Sequence, residues 1–178
     1  MRTVAAVTGS LLVLGIALSG CGNSDQAAKG TPSATIEDKS TSAATVDACK
    51  LLTPGGLEQR FGVSFGAGAL THQEETGSDQ CVWTSSGGAS TTTFSLTVLR
   101  QDGLRGDLKS SGMTLAQLFE QTKGAYPKAK PIDLGDQAYI AAREVQVLAG
   151  DTWYSFSFHG PDDTGVDGLK ALAAQVVG

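Results

Sequence analysis

No block of basic residues occurs anywhere in the chain, and that absence disfavours two classes of partner at once. Nucleic acid and anionic lipid surfaces are both held through clustered cations. Here 13 Lys and Arg stand against 18 Asp and Glu, for a formal charge of −5. Long apolar runs are missing as well. The longest, Val4 to Leu18, covers 15 residues and includes two glycines and a threonine, whereas a spanning helix needs roughly 20 apolar residues. Cysteine and histidine are scarce, at three and two. His72 and His159 form no ligand pattern with Cys49 and Cys81, because zinc sites use closer cysteine spacing or partnered histidines. No metal or cofactor is expected.

What is present begins at the N-terminus. Arg2, the apolar run and the small residues Ser19 and Gly20 have the layout of a secretory signal. Leu18-Ser19-Gly20-Cys21 resembles the bacterial lipobox. The resemblance implies that residues 1–20 are removed and that Cys21 carries a diacylglyceryl group as the new N-terminus. Each buried methylene contributes about 0.8 kcal/mol, and a single acyl chain holds only marginally. Two chains anchor stably without a spanning helix. With Arg2 gone, 12 Lys and Arg remain against 18 acids, a charge of −6.

Residues 22–46 read as a tether. They are dominated by Ala, Ser, Thr and Gly, contain one proline and no aromatic residue, and have Ile36 and Val46 as their only large aliphatics. Such a segment cannot bury enough apolar surface to offset its ordering entropy. As a flexible coil it spans on the order of 25–30 Å. Residues 47–178 are the size of one ordinary domain with a single core. Exported to an oxidising space, the two remaining cysteines, Cys49 and Cys81, are expected to pair. The competing reading is a reactive or metal-binding pair. A bridge would close a loop of 33 residues, for which chain entropy gives about 3–4 kcal/mol.

Along the domain, Thr53-Pro54 and Gly62 mark the two ends of a short helix, weakened by Gly55-Gly56. Thr71 to Gln80 reads as loop. A strand is expected from Cys81, and Ser85 to Ser90 turns the chain. Thr93 to Arg100 alternates, with Phe94, Leu96 and Val98 on one face and Thr93, Ser95 and Thr97 on the other. Thr114 and Gln117 have capping-box spacing before a helix with Leu115, Leu118, Phe119 and Thr122 on one face, stopped by Gly124. Ile132 and Leu134 lead into a turn at Gly135-Asp136, followed by a strand over Ala138 to Ala142. Glu144 to Leu148 and Thr152 to His159 form a hairpin. A last helix runs from Gly165 to Val177, with Thr164 and Asp167 at capping-box spacing and Leu169, Leu172, Ala173 and Val176 as its stripe. The pattern predicts an α+β fold: a largely antiparallel sheet of about five to seven strands, about three helices and one disulfide.

Asp47-Ala48-Cys49-Lys50-Leu51-Leu52-Thr53-Pro54, Cys81-Val82-Trp83 and Leu134-Gly135-Asp136-Gln137-Ala138-Tyr139 are similar to the landmarks of the actinobacterial lipoproteins grouped as domain of unknown function 3558. That resemblance covers nearly the whole domain and includes the lipobox and tether. It implies an exported, lipid-anchored domain with a Cys49–Cys81 bridge, and it supplies no catalytic residues. Gly55-Gly56 departs from it, where helix formers are expected.

Four constellations bear on chemistry. Gly62-Val63-Ser64-Phe65-Gly66 matches the G-x-S-x-G nucleophile elbow, with Asp133, Asp136, Asp151 and His159 following. An elbow needs a strand before it and a helix after it; here a helix precedes and Gly66-Ala67-Gly68 follows. Asp162 to Gly168 resembles a calcium loop, but Gly165 takes an alternate ligand position and no glutamate follows at the required distance. Acidic residues at a helix N-terminus account for it. Glu74, Glu75 and Asp79 beside His72 read as a solvated acidic loop. Finally, Trp153, Ser155, Ser157 and His159 share one face of their strand and would extend the face of Thr93, Ser95 and Thr97 if the two strands meet. That face is the candidate ligand surface; a solvated sheet face is the plain alternative. The sequence thus favours a non-enzymatic binding module on the outer face of the cell membrane, with an envelope protein or small molecule as partner. A serine hydrolase using Ser64 and His159, or a purely structural envelope protein, is the alternative.

Overall fold

The computed structural model describes residues 45–85, 90–160 and 165–178. Cys21, the expected tether before Thr45, and Thr164 with its capping-box role lie outside the described residues, as do Asp162 and Asp163 of the calcium-like loop.

The domain opens with a 3-10 turn, Ala48–Lys50, capped by the Asp47 carboxylate, which accepts from Cys49 N. Helix α1, Pro54–Phe61, has the ends its sequence specifies. Thr53 Oγ1 accepts from Gly56 N at 3.2 Å, Pro54 fills the first turn, and Gly62 closes it in the left-handed conformation at φ 70°. The two glycines inside do not prevent the helix, because Leu57 is fully buried and packs it onto the core.

Strands β1 (Ala69–Gln73), β2 (Ser78–Thr84) and β3 (Thr93–Arg100) follow as an antiparallel meander. The loop expected over Thr71 to Gln80 is therefore largely sheet, and β2 begins three residues before Cys81. Alternating exposure is missing from β1, whose residues are almost all solvated. An edge strand needs no apolar period, so β1 carries none. The chain reverses at Glu74–Gly77, where Gly77 sits at φ 79°. A Cβ there would run into the Gly103 carbonyl oxygen.

Helices α2 (Gly106–Ser110) and α3 (Leu115–Gly124) come next. The one-turn α2 is an addition to the expected elements. In α3 the capping box is complete: Gln117 N donates to Thr114 Oγ1, and Thr114 N donates to Gln117 Oε1. Then come β4 (Lys130–Pro131), β5 (Gln137–Ala141), β6 (Glu144–Ala149), β7 (Thr152–His159) and α4 (Gly165–Val177). The strand expected at Ile132 and Leu134 is only the two-residue β4, just upstream of them. Pro131 has no amide to extend the ladder.

All seven strands form one antiparallel sheet in the order β1-β2-β3-β7-β6-β5-β4, the α+β architecture the sequence predicts. Helices α1 and α4 pack on its inner face, where Trp83, Phe94, Leu96, Val145, Val147, Phe156 and Phe158 meet Leu57, Leu169, Leu172 and Ala173. A smaller core lies on the outer face, where Leu115 and Phe119 of α3 cover Leu99, Tyr139, Ala141 and Leu148. Cys49 and Cys81 are joined, with Cα atoms 5.1 Å apart. The bridge ties the opening turn to β2, and it passes so close to Gly68 that a Cβ there would strike Cys81 Sγ.

Candidate functional site

Strand periodicity sets the site. Side chains two apart point to the same side, so β7 sends Tyr154, Phe156 and Phe158 inward and Trp153, Ser155, Ser157 and His159 outward. β3 pairs with β7 directly, with Leu99 opposite Trp153, Thr97 opposite Ser155, Ser95 opposite Ser157 and Thr93 opposite His159. The shared face expected from the sequence is formed.

It is not uniform along its length. At one end Trp153 stands edge-on to Phe119 of α3, with ring centroids 5.5 Å apart. One step along, a transverse row crosses four strands: Gln80, Thr97, Ser155 and Gln146. Trp153 Nε1 donates to Gln146 Oε1 at 2.8 Å, and Gln146 Nε2 donates to Ser155 Oγ at 2.8 Å and to Glu144 Oε2 at 2.9 Å. Gln80 Nε2 donates to Thr97 Oγ1 at 3.1 Å. A further step along, the Ser95 and Ser157 hydroxyls share a hydrogen bond of 2.7 Å. His159 is exposed at the far end, six residues and about 20 Å from Trp153 along the strand.

The first part of this face is concave. Between α2, α3 and the outer face of β3 and β7 lies a groove of about 300 Å³. Leu99, Leu108, Leu118 and Trp153 supply its apolar walls, and Thr76, Ser78, Thr97, Thr122 and Ser155 stand among them. Its surface is nevertheless mostly apolar, because several hydroxyls are already engaged. Thr97 and Ser155 accept from the two glutamines, and Thr122 Oγ1 donates to Leu118 O at 2.9 Å. A groove with satisfied polar atoms and an indole fixed by its own hydrogen bond suits an apolar group of modest size. Of the four predicted face residues, Trp153 and Ser155 line the groove; Ser157 and His159 do not. Leu108 and Leu118 were not singled out in the sequence as site residues. Only the placement of α2 and α3 against the sheet brings them there, so no local signal marks them as site residues.

The other candidate groups are placed elsewhere. Ser64 follows α1 and precedes an isolated bridge between Phe65 and Ser85, so the strand–serine–helix order of an elbow is not formed. The Ser64 hydroxyl donates to Glu58 Oε1 at 2.9 Å. The acidic segment also differs from its reading as solvated loop. Glu74 and Glu75 are exposed at the turn, but Asp79 lies on β2 and is 5% exposed. His72 Nδ1 donates to its Oδ1 at 2.7 Å.

Among the described residues no helix is long and apolar enough to cross a membrane. No family model, curated protein or solved structure matches the chain.

Proposed function

We propose that this chain is a lipid-anchored, non-enzymatic binding module on the outer face of the cell membrane, akin to the domain of unknown function 3558 lipoproteins, and that its ligand seats an apolar group in the Trp153 groove. Leu18-Ser19-Gly20-Cys21 supports the anchor, and a Cys49–Cys81 bridge suits an oxidising compartment. The groove is the observation that carries the binding role. Its volume reaches the lower end of the range of small-molecule sites, roughly 300–1,000 Å³, and its lining is of their kind. Trp153 is its anchor: a large rigid surface whose only polar atom is already satisfied.

The test is native mass spectrometry of the chain gently extracted from its own cells, beside a Thr122→Phe variant that fills the groove. The wild-type chain is expected to retain a defined adduct, and the variant to lose at least tenfold of it while unfolding at the same temperature. An adduct-free wild type, or an adduct indifferent to Thr122→Phe, would overturn the groove reading.

A further inference from the structure

A second cavity lies on the opposite side of the sheet, at β2 and β3. Ser78 and Thr97 face the Trp153 groove, while their neighbours Asp79 and Val98 face inward into a separate space of about 210 Å³. Its charged lining comes from His72, Glu74, Asp79, Arg100 and Arg105.

The hydrogen bonds determine which of these groups are available. Asp79 is engaged on both oxygens: Oδ1 is hydrogen-bonded to His72 Nδ1 at 2.7 Å, and Oδ2 accepts from Val46 N at 2.8 Å. The other ring nitrogen of His72 is Nε2. The nearest acid to that nitrogen is Glu74, whose carboxylate is 3.9 Å away on a side chain 88% exposed. Arg100 gives one nitrogen to Asp102 at 2.9 Å. Arg105 pairs with no carboxylate among the described residues, and its stem is so close to Gly77 that a Cβ there would contact it. The cavity therefore offers guanidinium donors, with an imidazole and an exposed carboxylate also lining it.

We propose that this cavity binds a free amino acid. Arg105, assisted by Arg100, takes the carboxylate in the planar two-pronged geometry that guanidinium favours. The Glu74 carboxylate, 3.9 Å from His72 Nε2, takes the ammonium. A simple anion would satisfy only the arginines and leave the Glu74 carboxylate without a partner group on the ligand. A space smaller than most drug-sized sites fits a ligand of this size. The proposal is independent of the Trp153 groove, which Thr122→Phe blocks without touching these residues.

The experiment is a nitrogen-15 NMR titration of the full folded domain with each standard amino acid, acetate and methylamine, all at millimolar concentration. The His72 ring and the Arg100 and Arg105 side-chain resonances are the readout. At least one amino acid is expected to shift all three and to bind at least tenfold more tightly than acetate or methylamine. Arg105→Ala should remove the shifts, Arg105→Lys should restore part of the affinity, and Glu74→Gln should narrow the preference over acetate several-fold. Unchanged amide spectra elsewhere would show that each variant is folded. The proposal is overturned if no amino acid shifts these resonances, if acetate binds equally well, or if binding survives Arg105→Ala.

Discussion

Tyr139 is the residue whose chemistry is least comfortable in this fold. It is fully buried among Phe119 and Tyr126, and its hydroxyl has no hydrogen-bond partner among the described residues. Burial, with smaller contributions from Tyr126, Glu144 and Glu120, pushes its phenol up from 10 to about 12. The folded state therefore resists ionisation that the unfolded chain accepts. Stability from this source is complete below about pH 10 and is lost as pH rises towards about 12. Tyr139→Phe removes the orphaned hydroxyl and keeps the ring. It is expected to raise the unfolding free energy by about 1 kcal/mol at neutral pH and to flatten the loss above pH 10. Urea titrations of both proteins at neutral and alkaline pH would check this; equal alkaline losses would contradict it. At this scale the sequence was partly legible. Tyr139 stands in an apolar strand, but nothing local distinguishes a buried phenol with a partner from one without. His72 and Asp79 were misread for a related reason: seven residues apart across a turn, they meet only when β1 and β2 pair.

Elements were legible where their signals are local. Thr53-Pro54 with Gly62, and Thr114 with Gln117, specify helix ends through bonds spanning a few residues. The β6–β7 hairpin followed from alternation in its second arm and a glycine-containing turn. Strand β1 and helix α2 were not legible. One is an edge strand with almost no buried side chain and the other a single turn, so neither carries a period to read. The Cys49–Cys81 bridge belongs to this scale because it fastens an otherwise short opening segment to β2. Its sulfur-to-sulfur link spans 32 residues, and replacing both cysteines with alanine should cost about 3–4 kcal/mol through the larger freedom of the unfolded chain. Thermal unfolding of the double variant beside the wild type would measure this. An unchanged melting temperature would mean that the bridge constrains nothing the core does not already hold.

For the whole molecule, one sheet separates two dissimilar spaces. The outer one is largely apolar and sits under α3; the inner one is charged and lies where Val46 enters the domain. Their separation follows from the period of two in β2 and β3, which sends successive residues to opposite faces. The sequence pointed to the outer face through Trp153, Ser155, Ser157 and His159, and the groove takes in the first two of these. Concavity depends on where α2 and α3 come to rest, and no strand pattern encodes that. The anchor expectation rests on the N-terminal motif, and the binding expectation rests on the groove. One measurement joins them: photocrosslinking in living cells of the full chain with a photoreactive residue at Thr122, followed by membrane fractionation, beside the same chain carrying Cys21→Ala. A membrane-bound chain that forms a groove adduct, with both membrane retention and adduct lost in the Cys21→Ala control, is the predicted result. A chain that fractionates away from the membrane, or one that stays there and forms no adduct, would contradict it.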